Sequence, residues 1–135
     1  MTTELTYLLL TALLAASLWI PFIVGVNATP AREVADFHRP PDIRQMPAWV
    51  HRAYRAHQNL LEQMMPFAVI VLVAHVLGVS TTATVWASVA FFWLRIAHAV
   101  GMITGAAQFP VRPIIFTAGW ICIVVIGWQV FVHAG

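Results

Sequence analysis

The sequence has no lysine, a single cysteine, and only 9% charged residues. Each shortage excludes something. One cysteine, Cys122, rules out an intrachain disulfide and a thiolate metal cluster; set in an apolar stretch, it reads as a buried, inert thiol. The 7 basic residues are all arginines and stand against 5 acids. They form no dense basic stripe, so nucleic acid is not an expected partner. A water-facing domain carries about 25% charged residues, and this chain falls too far short to cover such a surface. What it has instead is 61% hydrophobic residues over 135 positions. The expectation is an all-α integral membrane four-helix bundle, one domain over residues 1–135.

Four apolar runs carry that expectation, since a helix needs roughly 20 apolar residues to cross ~30 Å of hydrocarbon. The first is "LTYLLLTALLAASLWIPFIVGV", residues 5–26. Its leader contains Glu4 and no arginine, and the run is longer than a secretory core, so it reads as a span rather than a signal peptide. Pro21 is placed to kink its end. Pro30, Pro40, Pro41 and Pro47 make residues 27–50 a loop. The second span is expected over 49–77, then a turn at "GVSTT". The third runs over 83–104, a break follows at "GAAQFPVRP", and the fourth covers 114–132. Trp49, Trp86 and Trp128 fall near span ends, as interfacial aromatics do.

The arginines give an orientation. Arg32, Arg39, Arg44, Arg52 and Arg55 cluster in and beside the first loop, and Arg112 lies in the third. The second loop and both ends carry none. The positive-inside rule therefore places the first and third loops in the cytoplasm and both termini on the other side.

Polar residues inside the spans mark the chemistry. At 100° per residue, Arg52, Arg55, Asn59 and Glu62 fall within roughly 80° on the second span, with Pro66 closing the stripe. In the third span Arg95, His98 and Met102 fall within roughly 60°. Charges in hydrocarbon cost ~2.5–3.5 kcal/mol each and persist when paired or when lining a wet cavity. The two faces are therefore expected to look at each other or at a neighbouring subunit. One reading is a structural ion pair of Glu62 with Arg55 or Arg95. The other is a polar ligand pocket open to the cytoplasm. Arginine forks bind carboxylates, asparagine donates and accepts, and glutamate holds an ammonium group. Together they suit a small zwitterion such as a peptide. They do not suit a metal, for no His-x-x-x-His, Cys-x-x-Cys or Glu-x-x-His pair occurs. His75 reads as a buried, hydrogen-bonded histidine.

The string "RAHQNLLEQMMPF", then "RIAH" in the next span and "FPVRP" before the last, resembles the MAPEG family, the membrane-associated proteins in eicosanoid and glutathione metabolism. The likeness covers essentially the whole chain. It implies a homotrimer of four-helix subunits with glutathione as cosubstrate, bound at subunit interfaces near the cytoplasmic side. It also implies a hydrophobic small-molecule electrophile arriving from the membrane lipid. By motif, Arg55, Asn59 and Glu62 hold the tripeptide, with Arg52 on the same stripe. Arg95 and His98 line the pocket, and Arg112 stabilises the thiolate. Met102 stands where eicosanoid-metabolising relatives often carry Tyr, and Pro113 where some prostaglandin-forming relatives have Ser. These departures point towards the small bacterial members. The expected activity is a membrane-bound glutathione-dependent transferase or peroxidase. The alternative is a non-catalytic trimeric membrane protein whose polar stripe is a structural or lipid- or anion-binding network. Gly101 and Gly105 form a small-x-x-x-small pair whose spacing suits a trimer contact.

Overall fold

Every regular element follows from a local signal in the chain. A computed structural model describes residues 1–29 and 42–133. Pro30, Arg32, Arg39, Pro40 and Pro41 lie outside the described residues. Helix α1 (Thr3–Ser17) starts where the Thr2 hydroxyl accepts from the Leu5 N–H, and α2 (Ile20–Ala28) continues the same span after a break at Leu18–Trp19. Pro21 causes the break. It has no N–H for the carbonyl of Ser17, and its ring crowds that carbonyl. A short 3₁₀ turn (Ile43–Gln45), capped by the Asp42 carboxylate, leads into α3 (Ala48–Val76). Helix α4 (Thr82–Thr104) opens with a capping box between Thr81 and Thr84 and closes at Gly105, whose φ of 83° is left-handed. Helix α5 (Val111–His133) completes the chain. It begins ahead of the expected residue 114, so Arg112 belongs to its first turn rather than to the loop.

The four spans, α1 with α2, α3, α4 and α5, are each long and apolar enough to cross a membrane. Their inward faces meet in a core where Phe67 and Phe91 stack with centroids 4.0 Å apart, beside Cys122, Ile123 and Ile126. The outward faces are apolar too: Leu13, Val24, Val69, Leu72, Val124 and Trp128 are exposed. That is the inverse of a water-soluble surface and matches lipid as solvent.

Polar ties fix both ends. At one end the buried Glu4 accepts from Ser80 Oγ (2.8 Å) and Thr84 Oγ1 (2.7 Å), and Thr81 Oγ1 lies 3.1 Å from Gln129 Oε1. These join α1, the second loop, α4 and α5. At the other end Arg52 donates to the carbonyl of Ile103 at the end of α4. Gly25 there packs against Val50 and Trp49, and a Cβ would come within 2.8 Å of the indole. The end of α2 and the start of α3 thus share one end of the bundle with the third loop.

Gly101 and Gly105 make close contacts within the subunit. A Cβ on Gly101 would sit 2.7 Å from that of Ala107, and Gly105 lies against the Arg52 guanidinium. His75 is exposed rather than buried.

Candidate functional site

Helix α3 buries Val50, Ala53, Ala56, Leu60, Gln63, Phe67, Val71 and Ala74. The polar stripe is centred roughly 100° from that inward face, so it runs along the flank. Arg52 and Asn59 are half-buried, while Arg55 and Glu62 are exposed on the surface of the single subunit. Pro66 withholds its N–H from the carbonyl of Glu62, which leaves a further acceptor on the same flank.

Beside Asn59 opens a cavity of ≈ 480 Å³ between α3, the third loop and the start of α5. Asn59, Gln108, Arg112 and Thr117 supply its polar groups; Phe109, Pro113 and Phe116 form an apolar wall. Arg112 reaches it because α5 starts early: its N–H bonds to Gln108 O at 3.0 Å, which sets the first turn. A side chain at this position feels the positive end of the helix dipole, so the cavity favours an anion on two counts.

Arg95 and His98 lie deeper. Both are on the inward face of α4, with Arg95 only 1% exposed. Arg95 Nη2 donates to the carbonyl of Ile115 at 3.0 Å, while its Nε and Nη1, and Nε2 of His98, have no partner among the described residues. Phe116 separates them from the cavity, its ring centre 5.8 Å from the Arg95 guanidinium carbon and 6.2 Å from the His98 ring. Within one subunit, then, the two polar faces do not look at each other. Glu62 and Arg95 make no ion pair, because α4 turns Arg95 towards α5 while α3 turns Glu62 outward. Asn59 and Arg112 are brought together; Arg55 and Glu62 remain on the open flank.

Sequence reasoning missed Gln63. It is 5% exposed, its Nε2 donates to the carbonyl of Phe116 at 3.0 Å, and its Oε1 has no partner among the described residues. The signal was available: an amide among Ala56, Leu60, Phe67 and Val71 on the apolar face of a span. Glu4 was passed over likewise, although an acid at the start of an apolar run needs hydrogen-bond donors.

A model of the MAPEG family matches residues 6–132, nearly the whole chain. No curated protein matches it.

Proposed function

The chain belongs to the MAPEG family, and from that premise we propose that it is a membrane-bound, glutathione-dependent transferase or peroxidase acting on hydrophobic electrophiles. The observation that carries the reading is the ≈ 480 Å³ cavity in which the amide of Asn59 and the guanidinium of Arg112 face an aromatic wall. Its size falls within the range of about 300–1,000 Å³ usual for small-ligand pockets.

The exposed flank supports a homotrimer. Arg55 and Glu62 lie open on a helix made to cross a bilayer, and charges on such helices face protein or water rather than lipid. A second copy laid on this flank covers them and puts the site at a subunit contact. The arginine bias supports a cytoplasmic position for this end, where a polar tripeptide would enter from water and an apolar electrophile from the bilayer.

In the proposed mechanism Arg55, with Arg52 beside it, pairs with a glutathione carboxylate, Glu62 holds the ammonium group, and Asn59 bonds the peptide. A free thiol has a pKa near ~8.5, and adjacent positive charge lowers it. Arg112 supplies that charge from the cavity wall, while Arg95 and His98 lie behind Phe116. The proton leaves to solvent, since a guanidinium does not accept one. The thiolate then attacks: the S–C bond forms as the leaving group departs with its electron pair. With a peroxide the S–O bond forms as the O–O bond breaks, the alkoxide leaves and takes a proton from water to become the alcohol, and a second glutathione converts the sulfenic acid to the disulfide and water.

The test uses purified protein in detergent, titrated with glutathione and followed by thiolate absorbance. Arg112→Ala is expected to remove the thiolate signal and lower kcat by roughly 10²–10³-fold, as loss of one anion-stabilising group does, with the oligomer intact. An oligomer that falls apart makes Arg112 architectural. A wild type that never binds glutathione sinks the reading and favours a structural or anion-binding network.

A further inference from the structure

Two side chains from different helices converge on the backbone of α5, one turn beyond Arg112. From α3, Gln63 Nε2 donates to the carbonyl of Phe116 at 3.0 Å. From α4, Arg95 Nη2 donates to the carbonyl of Ile115, also at 3.0 Å. Carbonyls within a helix normally serve only the N–H four residues on. Here two adjacent ones also accept from neighbouring spans.

Gly119 permits this. It lies one turn after Ile115, where a side chain would block the approach. A Cβ there would fall 2.7 Å from Gln63 Oε1 and 2.9 Å from Arg95 Cζ, and closer still to Arg95 Nη2. Glycine is unfavourable inside a helix, and α5 carries it at the position where the two donors enter. Both donors are more than nine-tenths buried, Gln63 at 5% exposure and Arg95 at 1%. Burial at this level keeps bulk solvent from competing for either bond. Apolar residues at the same places would press the spans together without fixing their rotation, because apolar contact is non-directional. Hydrogen bonds have a preferred angle.

We propose that Gln63, Arg95 and Gly119 form a lock that sets the rotation and depth of α5 and thereby positions Arg112 in the cavity. The inference rests on the reading of Arg112 given above. Arg112 precedes Ile115 and Phe116 by three and four residues, so it shares their face one turn away. If α5 turned by about 20°, a side-chain tip ~5–6 Å from the axis would move by roughly 2 Å. A misplacement of about 1 Å can cost 10²-fold in rate. Gln63 and Arg95 are positioning residues here, acting through the backbone of α5.

Two readouts test the lock. The first needs no glutathione. Cys122, the sole cysteine, is replaced by Ala, Arg112→Cys is introduced, and labelling of position 112 by a water-soluble maleimide is timed. Adding Gln63→Leu or Arg95→Leu should change the labelling rate severalfold, and Gly119→Ala should do the same where it folds. Gln63→Leu nearly conserves volume and secures the measurement if the others do not assemble. The second readout keeps Arg112. Gln63→Leu should lower kcat by about 10–100-fold while KM for glutathione holds. Arg95→Lys, which retains a donor and a charge, should recover most of the kcat lost in Arg95→Leu. Unchanged labelling overturns the lock. So does a raised KM with kcat intact, since Gln63 and Arg95 would then be contacting glutathione itself. A wild type without glutathione activity, whose labelling still responds to Gln63→Leu, overturns the transferase reading and leaves the lock standing.

Discussion

Replacing Glu62 by leucine separates a lipid-facing carboxylate from one that a second copy covers. Helix α3 has 29 residues, about 43 Å at 1.5 Å per residue, against ~30 Å of hydrocarbon. Counting ~30 Å back from Val76 reaches about His57, so Glu62 lies roughly 8 Å inside the apolar layer. In the single subunit it is exposed. Were that face turned to lipid, the leucine would favour the membrane-inserted protein by about 2–3 kcal/mol, because it removes a charge and adds an apolar side chain. Covered by a second copy and holding an ammonium group, Glu62 instead contributes a charged hydrogen bond of about 1.5–3 kcal/mol. Glutathione affinity is then expected to fall roughly 10–100-fold in Glu62→Leu, and the oligomer to be no more stable than wild type. Calorimetric titration and native mass spectrometry in detergent measure the two quantities. A leucine variant that melts higher, binds glutathione as wild type does and keeps its oligomeric state would refute the covered-flank argument.

Two further expectations concern the bundle. Phe91→Ala removes one member of a fully buried stacked pair and should cost about 3–5 kcal/mol, read as a lowered midpoint of thermal unfolding in detergent. Thr84→Val takes from Glu4 the donor at 2.7 Å, leaves the carboxylate under-satisfied, and should cost about 1–3 kcal/mol. The double variant Thr84→Val, Glu4→Leu should recover part of that loss, and a double variant weaker than the single one would contradict the account.

Much of the site could be read along single helices. The stripe of Arg52, Arg55, Asn59 and Glu62 is a matter of spacing within α3, where the backbone fixes relative angles whatever the surroundings. The start of α5 was less legible. Pro113 suggests a loop, yet proline is well tolerated in a first turn, and the helix begins ahead of it. Arg95 was read as lining the pocket or pairing with Glu62. Its actual partner, the carbonyl of Ile115, is a backbone group carrying no sequence signature.

The sequence by itself determined that this chain has four apolar helices and which polar residues share a stripe. Apolar length and helical period are local properties, and no neighbour is needed to set them. Only the tertiary structure decided which way each stripe faces. It turned Arg95 and Gln63 onto α5 through the gap at Gly119, joined Asn59 to Arg112 across one cavity, and gave Glu4 its hydroxyl partners. Those choices depend on how the helices rotate about their axes when packed. That rotation is set by shape and hydrogen bonding between segments far apart in the chain, where no periodicity reaches.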